Sequence, residues 1–231
     1  MADNMLTWDN PTERLYETGV EKPVLYLRNS DGSYAKGVAW NGMTAFNITP
    51  SGAEPTKLYA NNKTYLTMMS AEEVGATIEA YMYPDEWNAC DGYKEIVPGV
   101  YAGQQTRQAF GICVKTLIGN DSEFNKHGYK LHLLYNGLAS PSEKAYASVN
   151  DTPEANTFSW EVSTTPENVG VTLSDGSTID TLAYICIESN TVDETKLKAL
   201  EAILYSTGET GTLPTPKTVF ETLGWTAPEA G

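Results

Sequence analysis

Apolar and polar residues alternate strictly in several stretches of the sequence, and this pattern restricts the fold more than any other feature. The clearest stretch is residues 158–164, in which Phe158, Trp160 and Val162 are separated by single polar residues. Successive side chains of a β-strand point to opposite faces of a sheet, so the pattern indicates a strand with one buried face. Residues 77–83 alternate in the same way. The chain is therefore predicted to consist mainly of β-strands.

Turn-forming dipeptides separate the strand candidates. Gly, Asn and Asp tolerate a positive φ angle and favour tight turns. Such pairs recur along the chain: Asp31-Gly32, Asn41-Gly42, Asp91-Gly92, Asn136-Gly137 and Asp175-Gly176. Residues 110–118 and 131–135 are more continuously apolar, which predicts strands covered on both faces. Without an internal repeat or a long linker, this organisation favours a single domain over residues 1–231, folded as a β-sandwich or partial barrel.

One α-helix is predicted to flank the sheet, over about residues 192–206. Apolar residues recur there at helical spacing: Leu197, Leu200, Ile203 and Leu204. The residues before it fit a capping box, in which the Thr191 hydroxyl and the Glu194 carboxylate accept hydrogen bonds from free N–H groups at the helix start. A shorter helical turn is predicted for residues 70–74.

Three other segments are predicted to lack regular structure. Residues 41–62 are rich in turn formers, and a loop of this length inside a compact domain is usually functional. Residues 1–14 are predicted to form an N-terminal arm. Residues 208–231 are rich in Thr, Pro and Gly and are predicted to form an extended C-terminal tail. Apolar side chains are expected to tie that tail down: Val219, Phe220, Leu223 and Trp225.

The chain is strongly acidic. Lys and Arg total 15 against 30 Asp and Glu, which gives a formal net charge of −15 with both histidines neutral. Proteins bind nucleic acid largely through Lys and Arg that neutralise phosphates, so this composition disfavours specific nucleic-acid binding. No secretion signal is recognisable, and no apolar run approaches the roughly 20 residues that cross a bilayer. A protein made in the cytoplasm, without membrane contact, is expected.

The sequence contains few residue patterns that indicate a catalytic or metal-binding function. The sequence contains no motif of a serine hydrolase, a zinc protease, a nucleotide-binding loop or a dithiol redox centre. His127 and His132 are spaced so that they share neither a helical face nor a strand face, and nothing indicates a nucleophilic pair of Cys113 with either. Residues 120–123 carry side-chain oxygens, which Asx-turn chemistry explains without calcium. We therefore predict no catalytic residue, no cofactor and no metal site.

Several longer strings of residues resemble the major tail tube proteins of phages and prophages of Gram-positive bacteria. The most distinctive are EAYMYPDEW at residues 79–87, KTLIGND at residues 115–121 and ASPSEK at residues 139–144. Further segments follow the same order along the chain: residues 37–52, 128–133, 150–161 and 197–205. The resemblance covers roughly residues 15–206, and it implies a β-sandwich with a helix on its flank.

The resemblance also implies a function. Subunits of this family form hexameric rings that stack into a tail tube, through which phage DNA passes into the host without specific binding. The implied partners are further copies of the chain, the tape-measure protein, the baseplate or tail-initiator proteins and the tail-terminator protein. The implied location is the virion. Neither an enzymatic activity nor a cofactor belongs to this function.

Two groups of residues are predicted to serve the tube. The long loop is expected to contact the neighbouring ring through the following residues: Thr49, Pro50, Ser51, Gly52, Ala53, Glu54 and Pro55. Glu79 and Glu161 lie opposite the apolar positions of their strands, and they are candidates for facing the lumen. A lumen lined by carboxylates would avoid retaining DNA, because it repels phosphates.

Two other functions remain compatible with the sequence. A tube subunit of a phage-tail-like bacteriocin or contractile injection device would share the same fold. A carbohydrate-binding β module would use exposed tryptophans to stack on sugars, with the following candidates: Trp40, Trp87, Trp160 and Trp225. Trp160 is in phase with Phe158 and Val162, which favours burial in the core over sugar binding.

Overall fold

The structure, a computed structural model, describes residues 6–11, 13–148, 151, 154–208 and 211–228. Of the predicted N-terminal arm, residues 1–5 and 12 lie outside the described part. The described residues form these strands: β1 (Tyr16–Leu27), β2 (Val38–Ala39), β3 (Met43–Gly52), β4 (Pro55–Ala60), β5 (Lys63–Met69), β6 (Glu72–Ala80), β7 (Lys94–Val97), β8 (Val100–Ala102), β9 (Phe110–Asn120), β10 (Phe124–Ala139), β11 (Phe158–Thr164), β12 (Glu167–Thr172), β13 (Thr178–Leu182) and β14 (Tyr184–Glu188). They also form these helices: α1 (Trp87–Cys90), α2 (Glu194–Leu204) and α3 (Pro216–Leu223).

Eight strands form one antiparallel sheet in the order β2-β1-β9-β10-β11-β6-β3, with β14 also paired to β10. Strand β10 changes partner along its length, because residues 130–134 pair with β14 and residues 137–139 pair with β11. Cα atoms of β1 and β3 come within 8 Å of each other, although these strands lie near opposite ends of the strand order. The sheet therefore curls into an incomplete barrel. The prediction of a mainly β domain is confirmed.

Three tryptophans fill the inside of the curled sheet. The ring centroids of Trp40 and Trp87 are 4.6 Å apart, and Trp160 lies 5.3 Å from Trp87 and 5.9 Å from Trp40. All three side chains are buried, and they pack against residues from both halves of the sheet: Leu25, Ala76, Ile78, Phe110, Ile112 and Val162. Aromatic side chains of this size contribute most to core stability, because each buries a large apolar area.

The convex face of the sheet is covered by α2 and α3. The Tyr26 hydroxyl donates a hydrogen bond to the Leu204 carbonyl, with an O···O distance of 2.6 Å, and so ties β1 to the end of α2. Apolar residues of strands and helices form this second core: Leu131, Leu133, Tyr135, Leu197, Leu200, Leu204 and Val219. Strands β9 and β10 thus have apolar layers on both faces, which confirms the prediction for residues 110–114 and 131–135, whereas residues 115–117 are only half-buried.

Helix α2 confirms the helix predicted over about residues 192–206, but the predicted capping box is wrong. The cap is Asp193, whose carboxylate accepts hydrogen bonds from the Thr195 and Lys196 N–H groups, each at 3.0 Å. Asp193 has an extended backbone with ψ of 125°, so the first helical turn begins after it and Thr191 lies too far upstream to cap it. None of the helices in the described part is long and apolar enough to cross a bilayer.

The extended tail predicted for residues 208–231 is wrong where α3 forms. Pro216 occupies the first helical turn, Thr215 caps the helix through its hydroxyl, and Gly224 ends it in a left-handed conformation with φ of 107°. Val219 is fully buried in the second core. The helical turn predicted for residues 70–74 is also wrong, because these residues lead into β6 and pair with β3.

Replacement of Trp160 by Ala is expected to lower the free energy of unfolding by about 3–5 kcal/mol, because the cavity would lie between both halves of the sheet. Trp8 is 75% exposed, and Trp8→Ala should change the stability by less than about 0.5 kcal/mol. Urea unfolding followed by circular dichroism compares the two variants. Equal stabilities would contradict the packing described here.

Candidate assembly surface

A β-ribbon arm projects from the barrel between β3 and β6. Residues 49–52 of β3 pair with residues 72–75 of β6, and the β4–β5 hairpin continues beyond them. Every residue of β4 and β5 is exposed. The loop predicted for residues 41–62 is therefore wrong, since most of this segment is strand. Pro50 is compatible with β3 because this strand lies at the edge of the sheet, where a missing N–H disturbs no ladder.

The arm bends sharply where β3 ends. Gly52 and Ala53 both adopt left-handed backbone conformations, with φ of 80° and 53°. A Cβ atom on Gly52 would lie 2.5 Å from the Ala71 carbonyl oxygen, so the bend requires glycine at this position. The Ala53 N–H donates to the Ser70 hydroxyl at 3.1 Å, which fixes the two sides of the bend to each other. The geometry of the arm is thus specified by a few residues at its base.

Apolar side chains are exposed along the outer part of the arm. Leu58 pairs with Leu66 in the ladder, and Met68 lies on the same face two residues further along. Their exposed fractions are 42%, 48% and 54%, and three more large side chains are exposed nearby: Tyr59, Tyr65 and Met69. A two-stranded ribbon is marginally stable alone, and an exposed apolar patch of this kind marks an interaction site. The outer part of the arm is therefore a candidate interaction surface.

The seven predicted inter-ring residues form the base of this arm rather than a loop. Thr49 to Gly52 belong to β3, residues 53 and 54 form the bend, and Pro55 begins β4. The exposed apolar residues lie further out and were not singled out from the sequence. The sequence feature that could have revealed them is the Asn61-Asn62 pair, whose two left-handed residues form the turn of the hairpin.

The predicted lumen residues lie together on the outer face of β6 and β11. Glu79 pairs with Ser159, and Glu161 pairs with Thr77 two positions along the ladder. Glu161 is exposed and Glu79 is half-buried. The same alternation places small polar and acidic residues across three strands: Asn47, Thr49, Ser51, Glu73, Thr77, Glu79, Ser159, Glu161 and Ser163. This acidic face contains three carboxylates and no basic residue.

In the described part of the chain, the two histidines and the buried cysteines make separate contacts. His132 contacts Thr116 through Nε2 at 2.8 Å and Tyr184 through Nδ1 at 2.7 Å, whereas His127 contacts Glu123 at 2.8 Å. Burial raises the pKa of the Cys113 thiol to about 12. This thiol belongs to the core under the helices, and it is mainly protonated at neutral pH. No group of three or more metal-binding side chains occurs among the residues described.

The tryptophans that were candidates for sugar stacking do not form an exposed row. Trp40, Trp87 and Trp160 constitute the inner core and are almost completely buried. Trp225 is half-buried, and its indole N–H donates to the Thr172 carbonyl at 3.2 Å. The carbohydrate-binding interpretation loses the residues on which it depended.

Comparison with protein-family models and with curated proteins finds no match for this chain. Inference about function therefore depends on two surfaces, the arm and the acidic face, and on the resemblance noted in the sequence. The acidic face contains an open depression of about 420 Å³ lined by residues of β3, β6 and β11, whereas the arm is a fully exposed hairpin. Both are suited to contacts with other macromolecules.

Replacing residues 53–71 by Asn-Gly would join β3 directly to β6 through a two-residue turn, because Gly52 and Glu72 are paired. The free energy of unfolding is expected to change by less than about 1 kcal/mol, since the removed hairpin buries no core residue. Binding of an apolar fluorescent dye should decrease. A large loss of stability would show that the hairpin supports the barrel.

Proposed function

We propose that this chain is the structural subunit of a phage tail tube, in which hexameric rings stack around a channel for DNA. The exposed apolar arm is the observation that carries the proposal. A monomer that keeps Leu58, Leu66 and Met68 in water carries an aggregation-prone ribbon, unless another molecule covers it. In a homo-oligomer, every copy both offers an arm and receives one.

An arm that docks on a different surface of the next copy produces open-ended assembly. A contact between unlike surfaces is heterologous, and it repeats without limit unless rotation closes the ring. A stack of rings needs such a contact along its axis. The base of the arm supports this role, because the Gly52–Ala53 bend directs the hairpin away from its own barrel.

The acidic face suits the wall of a DNA channel. Carboxylates such as Glu79 and Glu161 repel the phosphate backbone, and the serine and threonine side chains between them carry no charge. Attractive contacts at many phosphates would slow the passage of DNA, because binding strength rises with each phosphate that is neutralised. We assign Glu79 and Glu161 to the lumen on this basis, with Glu73 on the same face.

The remaining parts of the proposal follow from tube assembly. The chain would be made in the host cytoplasm and would function in the virion. Its partners would be copies of itself, the tape-measure protein, the proteins that initiate the tube and the protein that terminates it. Its role is mechanical and needs neither a catalytic residue nor a cofactor.

Leu66→Asp combined with Met68→Asp is expected to prevent the formation of rings or tubes, because two charges would be buried at the arm contact. Stability should stay within about 0.5 kcal/mol of the native value, since both side chains are exposed. Leu138→Asp is the matched control, because Leu138 is 43% exposed on the acidic face. Electron microscopy and light scattering measure assembly. Tubes formed by the double variant would overturn the role of the arm.

Glu161→Lys is expected to leave tubes assembled but to slow DNA delivery by the phage. Six copies in a ring would change the charge by about twelve units, since each moves from −1 to +1. The defect should weaken as salt screens the attraction to phosphate. Glu194→Lys on α2 makes the same charge change away from the acidic face. Normal ejection rates for Glu161→Lys at low salt would place Glu161 outside the lumen.

A further inference from the structure

A second exposed apolar ribbon is formed by β7 and β8. Ile96, Val97 and Val100 are 64%, 53% and 55% exposed, and the ribbon is separate from the main sheet. Pro98 and Gly99 make its turn, which is held because the Gly99 N–H donates to the Glu95 carboxylate at 2.9 Å. Like the arm, this β7–β8 ribbon is a two-stranded sheet, marginally stable alone, with large apolar side chains exposed to water.

The β7–β8 ribbon carries one basic residue, Lys94, and one acidic residue, Glu95, and two more carboxylates precede it in the chain. Asp85, Glu86 and Glu95 are all exposed. Partial desolvation, followed by the negative charges of Glu95 and Asp85, raises the pKa of Tyr101 above its ordinary value. Tyr101 pairs with Glu95 in the ladder, and the contribution of Asp85 to the same pKa puts its carboxylate within electrostatic reach of the Tyr101 hydroxyl. With Lys94 counted against Asp85 and Glu95, the surface has an apolar centre and a net charge of −1.

The outer arm has the opposite charge. Between Pro55 and Met69 the charged residues are Lys57 and Lys63, so this hairpin carries two positive charges in a chain with a net charge of −15. Lys57 lies beside Leu58 on β4, and Lys63 begins β5 after the turn. The arm therefore matches the β7–β8 ribbon in both respects, with an apolar centre and charges of complementary sign.

We propose that the β7–β8 ribbon, together with Asp85 and Glu95, is the surface on which the arm of a second copy of this chain docks. Apolar contact between the two ribbons would supply most of the affinity, and the charges would set orientation and speed up encounter. This inference rests on the proposed tube function and identifies the receiving surface within it. Each copy then has one arm and one receiving ribbon, so contacts propagate from copy to copy.

Charge reversal tests the pairing directly. Lys57→Glu with Lys63→Glu should reduce the assembled fraction about tenfold or more at low salt, and Asp85→Lys with Glu95→Lys should do the same. An equimolar mixture of the two double variants cannot restore every contact, because each chain has only one of its two surfaces reversed. A single chain with all four changes restores complementary charges at every contact. That fourfold variant should recover assembly. Lys217→Glu on α3, where the residue is exposed, serves as the control for the charge change itself.

A more conservative pair of substitutions tests whether the loss of assembly results from misfolding. Asp85→Asn with Glu95→Gln removes the charges but keeps a side-chain oxygen that can accept the Gly99 N–H. This variant should weaken assembly severalfold and flatten its salt dependence. Circular dichroism verifies the fold of each protein. Native assembly by this variant and by the Asp85→Lys, Glu95→Lys variant would overturn the docking surface.

Disulfide trapping gives a readout that does not need complete tubes. In a Cys186→Ser background, which removes the exposed native thiol, protein with Leu66→Cys is mixed with protein with Val97→Cys. A crosslinked heterodimer should form within minutes of oxidation. No crosslink should form when protein with Leu138→Cys is used in place of either partner. If the arm variants block assembly but the crosslink is absent and the fourfold variant fails, the arm docks elsewhere and the tube proposal stands. If the arm variants assemble normally, both proposals fail.

Discussion

Packing of the tryptophan cluster between the two halves of one sheet is the interaction on which the rest of the structure depends. Trp160 on β11 contacts Trp40 and Trp87, which belong to the segments after β2 and β6. Burial of these rings draws the ends of the sheet towards each other and curls it into the incomplete barrel. It also fixes the register of β11, because a slip of one residue would move Trp160 to the outside.

The position of the acidic face follows from that register. When Trp160 points inwards, its neighbours Ser159 and Glu161 must point outwards, and the ladder with β6 brings Glu79 to the same side. The arm is also specified from the barrel, since β3 and β6 remain paired from the core out to Gly52. The hairpin beyond the bend contributes nothing to the core. The barrel thus provides stability, while the arm is free to serve contacts with other molecules.

Period-two alternation predicted the strands that border the core, because one side of each strand must be apolar whatever the rest of the fold does. The alternation also placed Glu79 and Glu161 opposite buried residues. It failed at the arm, where both faces are exposed and no alternation is required, so residues 41–62 resembled a loop. It failed again at α3, because Pro216 and Thr215 are turn formers in isolation and helix-starting residues in this context.

The sequence pattern could not predict which distant segments come together, for a different reason. Which strands join β10, and where Asp85 lies relative to Tyr101, depend on long-range contacts that local composition does not encode. Charge complementarity between the arm and the β7–β8 ribbon becomes visible only once both are known to be exposed. The exposed ribbons of this chain therefore follow from its topology, whereas its core follows from its local sequence.

The central claim is that this chain assembles with copies of itself into an open tube. Negative-stain electron microscopy of the purified, concentrated protein tests it most directly. The account predicts annular views with six-fold symmetry and side views of stacked rings, with lengths that increase with protein concentration. Particles that remain a closed two-fold dimer at every concentration would contradict it, because a closed dimer satisfies its contacts without leaving an arm for the next copy.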